Sequence, residues 1–201
     1  MKLILPILLL LILGGCGAKV PVATKYKINT IADIERYKTN NNSKCKRESL
    51  KVMQTFSSNM LMSKEMNYVL DLNQVYPYST AQWAITPNRI VSDEYFKMLR
   101  ELNMFSSVGN SKSRSKASWL LETRVEDFMQ YYENDNTSSY VKVAINVTLL
   151  DSRTSNVIAS KVFKSKLDVQ TLDAEGGVAA LNKALADILS QSALWISEEC
   201  K

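Results

Sequence analysis

This chain of 201 residues contains no histidine and only three cysteines, six glycines and four prolines. Without an imidazole, a Ser-His or Cys-His nucleophile pair cannot be assembled, and no serine sits in a G-x-S-x-G turn. Zinc loses its commonest nitrogen ligand, and Cys16, Cys45 and Cys200 are too widely spaced to chelate as a Cys-x-x-Cys pair, so no metal ligands are assigned. Neither a G-x-x-x-x-G-K-S/T nor a G-x-G-x-x-G string occurs; Gly176-Gly177 is an isolated pair at a helix entry, so no loop is built to cradle nucleotide phosphates. Glu126 and Asp127 lie in a segment of alternating polarity, and no catalytic residue is assigned. Long apolar runs are also scarce. The longest, Leu3 to Leu13, is interrupted by Pro6 and spans about 16 Å as a helix, roughly half of a bilayer core of about 30 Å.

That run follows Lys2 and precedes Gly14, Gly15 and Cys16, the order of a cleavable export signal. Leu13-Gly14-Gly15-Cys16 resembles the lipobox of bacterial lipoproteins: the small glycines let an extended backbone reach a peptidase, and the Cys16 thiol accepts a diacylglyceryl group. The resemblance implies cleavage before Cys16 and acylation of its new amino group. Residues 1–15 would then be a leader, 16–24 a lipidated cysteine and tether, and 25–201 one domain. Burial of acyl chains contributes about 0.8 kcal/mol per CH₂, and two or more chains anchor stably. The covalent lipid on Cys16 is the only non-protein group expected; an incidental cysteine after an ordinary signal is the alternative. Gly17 stands where Gram-negative lipoproteins retained in the inner membrane usually carry Asp, which implies the periplasmic face of an outer membrane, or the cell membrane where no outer membrane exists.

Cys45 and Cys200 remain. An exported chain meets oxidising conditions. A bond between them would close a loop of about 155 residues, on the order of 5 kcal/mol by chain entropy before native strain is subtracted. A disulfide is expected, with two partly buried thiols as the alternative.

The composition, 46% hydrophobic and 22% charged, is that of a globular domain. Tyr140 to Leu150 alternates Val141, Val143, Ile145, Val147 and Leu149 with Lys142, Asn146 and Thr148, the period of a strand with one wet face. Ser118 to Tyr131 places Trp119, Leu121, Val125, Met129 and Tyr131 on one parity and Glu122, Arg124, Glu126 and Gln130 on the other. The polar turn from Glu133 to Ser139 joins the two as an antiparallel hairpin, and Val157 to Leu167 extends it to a meander. Further strands are expected at Lys25 to Thr30, Leu50 to Ser57 and Met66 to Leu72. Amphipathic helices are expected from Pro87 to about Asn103 and from about Leu172 to Glu199. The fold class is α+β: an antiparallel β-sheet with two main helices packed on one face, in a single domain.

The order of these elements and several local strings resemble the ABC-type transport auxiliary lipoprotein family over roughly residues 24 to 197. The carriers are Tyr68-Val69-Leu70 leading to Tyr78-Ser79-Thr80-Ala81-Gln82-Trp83-Ala84, Pro87 before a helix, Phe105-Ser106-Ser107-Val108 after it, and Ala179 to Leu185 in the last helix. Asp151-Ser152-Arg153-Thr154-Ser155-Asn156 is similar to the family's D-x-R-T-G turn, with Ser155 in the glycine place. The resemblance implies a non-enzymatic lipoprotein that serves an MCE-domain protein and its ABC permease and ATPase in lipid transport across the periplasm, with homo-oligomers open to it. The alternative is an envelope lipoprotein that activates a cell-wall synthase or builds a secretion or motility ring.

Net charge is +5, with basic groups at Lys44, Lys46 and Arg47, at Lys112, Arg114 and Lys116, and at Lys161, Lys164 and Lys166. These are either solvated positions or contacts for anionic headgroups or an acidic partner; an exported chain has no nucleic acid to meet. Tyr76, Tyr78 and Trp83 gather aromatics in a loop ahead of the first helix, and either plug the core or face a partner.

Overall fold

Strict alternation of side chains builds the centre of the molecule. The computed structural model describes residues 22–30, 43–71, 73–133 and 137–201; the leader, Cys16, Gly17 and most of the tether lie outside them. Strands β6 (Trp119–Tyr132) and β7 (Ser139–Asp151) pair antiparallel from Trp119↔Asp151 to Tyr132↔Ser139, and β8 (Val157–Asp168) pairs antiparallel with β7. On β7, Val141, Val143, Ile145, Val147 and Leu149 are fully buried. The β7–β8 turn holds Ser155 at φ 59°, a left-handed conformation that favours glycine, and Asp151 Oδ1 steadies it by accepting from the Arg153 and Thr154 amides.

Strand β6 departs from the expected alternation. A register shift between Val125 and Asp127 inserts one residue, so Trp119, Leu121 and Val125 face the core before it, and Phe128 and Gln130 face it afterwards. Met129 and Tyr131, expected inward, instead oppose Lys142 and Tyr140 on the outer face. The bulge reverses parity because the pleat repeats every two residues.

The second edge of β6 is shared. Near its start it pairs with β2 (Ser49–Val52), which also pairs with β5 (Ser107–Asn110). Near its end it pairs with β3 (Glu65–Leu70), which pairs with β4 (Gln74–Trp83), itself beside β1 (Thr24–Tyr26). β2 and β3 both run parallel to β6, because the chain between them advances along that edge without reversing; Phe56 bridges to Arg124 on the way. The sheet is therefore mixed rather than wholly antiparallel, while the α+β class and the central meander stand as expected.

Two short strands of the expected set end early. After Tyr26 the chain leaves the sheet to cover the helices, burying Ile28 and donating the Asn29 amide to Asn182 Oδ1 at 2.9 Å. After Val52 only scattered backbone bonds reach β6, from Met53 to Leu121 and from Phe56 to Thr123. Conversely, the aromatic segment expected as a loop is the ten-residue strand β4, and the polar stretch after Ser106 contains β5.

Helix α1 (Pro87–Leu102) starts at Thr86 with Pro87 in its first turn and stops at Asn103, whose φ of 51° ends the hydrogen-bond ladder. Helix α2 (Ala174–Glu199) starts at Asp173, whose side chain accepts from the Gly176 amide at 2.8 Å. α2 lies over β6, β7 and β8, and α1 over β2, β5 and β6, so both cover the same face. They meet through a buried hydrogen bond between the Tyr95 hydroxyl and Ser192 Oγ at 2.8 Å. At the end of α2, Cys200 is disulfide-bonded to Cys45, and its carbonyl accepts from the Lys44 amide at 3.0 Å.

Candidate functional site

The β3–β4 hairpin carries a tyrosine cluster. In its antiparallel register Tyr68 stands opposite Tyr76, with ring centroids 6.0 Å apart. Tyr68 also meets Tyr78 at 4.6 Å and Tyr132 of β6 edge-on at 5.4 Å. The hydroxyls form a directed chain inward: Tyr78 donates to Gln130 Oε1 at 2.8 Å, so Tyr132, 2.9 Å from the Tyr78 oxygen, donates to it, and Gln130 Nε2 donates to Ser139 Oγ at 2.9 Å. Burial pushes the Tyr78 hydroxyl well above its ordinary range, so it remains a protonated donor.

Three expected residues separate here. Trp83 is 3% exposed and packs on Phe128 in the core at 5.8 Å. Tyr78 is half-buried and belongs to the hydroxyl chain. Tyr76 and its neighbour Val75 are exposed at the hairpin's outer end, with the Tyr76 hydroxyl donating to Gln74 Oε1 at 2.8 Å. Of the aromatic set, Tyr76 alone presents a surface.

A second constellation lies on the outer face of β6–β8, opposite the helices. Tyr131 and Tyr140 are cross-strand partners and stack in parallel planes 5.4 Å apart. The Lys142 ammonium sits 4.4 Å from the Tyr131 ring centre, and that of Lys166 sits 3.8 Å from the Tyr140 ring centre. The Tyr131 hydroxyl donates to Asp127 Oδ2 at 2.6 Å, while Asp127 Oδ1 is buried with no hydrogen-bond partner among the described residues. Burial raises the Asp127 carboxyl above its usual range, against the opposing pull of Tyr131 and Lys142. Sequence reasoning missed Tyr131, Tyr140 and Lys142 as a group. Counting outward from a turn that ends at Ser138 rather than Ser139 pairs Tyr131 with Tyr140 and could have found them.

Among the described residues no cluster of acidic, cysteine or histidine side chains could hold a metal, and no helix is long and apolar enough to cross a membrane. Fold and surfaces together define an α+β domain with one closed core, whose polar chemistry is spread over a tyrosine hairpin and a lysine-rich sheet face. The chain belongs to the ABC-type transport auxiliary lipoprotein component family, whose model matches residues 34–193. No curated protein sequence matches it. Among solved structures it is similar to protein XCC0632 from Xanthomonas campestris, 18% identical with a TM-score of 0.75 over 88% of this chain and 96% of that one. An uncharacterized protein is 15% identical, with a TM-score of 0.66 over 87% and 99% of the two chains. The hypothetical protein CT253 from Chlamydia trachomatis is 7% identical, with a TM-score of 0.50 over 77% and 98%. At these identities the likeness establishes the fold alone.

Proposed function

We propose that this chain is an outer-membrane lipoprotein, anchored through acyl groups on Cys16 and facing the periplasm, that docks an MCE-domain protein of an ABC lipid transport system. It works by binding rather than by chemistry of its own. Membership of the transport auxiliary family across residues 34–193 carries this reading. The lipobox-like Leu13-Gly14-Gly15-Cys16 supports the anchor, and the tether ahead of β1 would let the domain turn toward its partner. Tyr76 at the exposed end of the β3–β4 hairpin is the aromatic offered to that partner, because tyrosine buries a large area at small entropic cost.

The test is photo-crosslinking in the native membrane. A benzophenone side chain replaces Tyr76 in the full chain, a second probe replaces Val157 on the β8 side as a comparison, and adducts are identified by mass spectrometry. An MCE-domain protein captured from the Tyr76 position and not from the Val157 position is expected. A cell-wall synthase or secretion-ring subunit captured there, with no MCE protein, would overturn the proposal.

A further inference from the structure

The register of β7 and β8 sets two lysines directly across from each other, Lys142↔Lys166, and places Lys164 across from the small Ala144. Like charges facing each other across a ladder destabilise a sheet, yet none of these ammonium groups forms an ion pair with a carboxylate of a described residue; such pairs occur elsewhere, at Lys97–Glu94 and Arg153–Asp151. Lys142 and Lys166 are instead steadied by the faces of Tyr131 and Tyr140. A ring face orders the ammonium without neutralising it, so the full positive charge remains available. Ala144 leaves a gap between its neighbours on the flanking strands, and the outer face opens there into a depression of about 550 Å³ lined by Glu126, Asp127, Lys142, Ala144, Lys164 and Lys166. The carboxylates occupy the β6 rim, with Asp127 engaged by the Tyr131 hydroxyl, while the β7 and β8 sides are cationic. Val162, two residues before Lys164 on the same strand face, is 40% exposed and supplies apolar surface beside the basic rim.

From this we infer that the outer face of β6–β8 binds the phosphate of an anionic lipid headgroup, with Lys142, Lys164 and Lys166 as its ligands and Val162 beside the first carbons of the glycerol and acyl region. Lys161, though adjacent in sequence, opposes Val147 on the other parity and takes no part. The site gathers three of the chain's basic side chains from two neighbouring strands. The site is independent of the Cys16 anchor and of any docking partner, so it stands or falls separately from the transport proposal.

Acetylation footprinting of the full chain in neutral detergent micelles tests this. Dihexanoylphosphatidylglycerol should protect Lys142, Lys164 and Lys166 from acetic anhydride while leaving Lys112 and Lys183 unchanged. Each change of Lys142, Lys164 or Lys166 to Gln should weaken binding about fivefold, the effect of losing one basic charge beside an anionic headgroup. Circular dichroism establishes that these surface variants fold. Equal labelling with and without the lipid would overturn the assignment. Protection by inorganic phosphate at the same concentration as the lipid would overturn the lipid as its source, and stronger protection by polyglutamate would replace it with an acidic protein.

Discussion

Asp127 shows how one inserted residue changes the chemistry of a strand. The β6 bulge puts its carboxylate within reach of Tyr131, where Oδ2 accepts from the phenol and Oδ1 has no hydrogen-bond partner among the described residues. Burial raises the carboxyl, so ionisation opposes folding. The sign follows directly: a raised folded-state value means that the native state binds the proton more tightly. The ionisation penalty is fully present above the folded value, shrinks as pH falls through it, and is gone below the ordinary carboxylate range. Asp127→Asn, which keeps an acceptor for Tyr131, should therefore raise the melting temperature at pH 7 and lose that advantage as pH falls toward 4. Melting curves of both proteins across that range check it; a constant offset would place the effect in packing rather than ionisation. Of the candidate residues, sequence alone marked Tyr76, Tyr78 and Trp83 as aromatics before a helix but could not separate them. Their separation depends on Tyr68, across the hairpin, and on Phe128, distant in sequence, both of which meet them only through strand pairing.

At the scale of elements, what could be read in advance was whatever repeats with a local period. The β6–β7–β8 meander and both helices have sustained patterns and short polar turns, and their observed limits fall within a few residues of expectation. The parallel pairings of β2 and β3 with β6 were not legible, because short strands whose partners lie far along the chain leave no local signature. Strand β4 hid for another reason: Pro77 within it argues against a strand, yet it sits in an exposed stretch near the hairpin end, where proline is tolerated. Helix–sheet docking depended on a glycine whose role was equally hidden. A Cβ on Gly177 would stand 1.9 Å from Gln130 Oε1, so the first turn of α2 approaches β6 only because that atom is missing. Gln130 cannot yield freely, since Tyr78 and Ser139 hold both ends of its amide. Gly177→Ala should therefore cost about 1–3 kcal/mol, the usual range for overpacking. Adding Gln130→Ala should give a double variant less destabilised than the sum of the single ones. Urea titrations of the four proteins measure the coupling, and strict additivity would refute the steric account.

For the molecule as a whole, the disulfide joins the helix layer to the sheet layer covalently. Cys45 lies in a single 3-10 turn, Lys44–Arg47, that leads into β2, and Cys200 ends the helix that covers β6–β8. Together with the bond from the Lys44 amide to the Cys200 carbonyl, the bridge fixes the far end of α2 to the β2 side of the sheet across a sequence separation of 155 residues. Much of the domain is enclosed in that loop, so the unfolded chain is constrained nearly everywhere, and losing the bridge should cost about 2–5 kcal/mol. Because the same bond is lost however it is broken, Cys45→Ser, Cys200→Ser and the double variant should lose closely similar stability. The wild type should fall to the same level when unfolded with a thiol reductant present. Both cysteines are 0% exposed, so reductant should act only once the protein opens, and intact samples should keep their bridge in mild reductant under native conditions. Guanidinium titrations of the four proteins with and without reductant decide the point: two single variants whose losses add would show that each sulfur acts through its own packing, whereas equal losses that vanish against the reduced wild type would assign the stability to the bond between the layers.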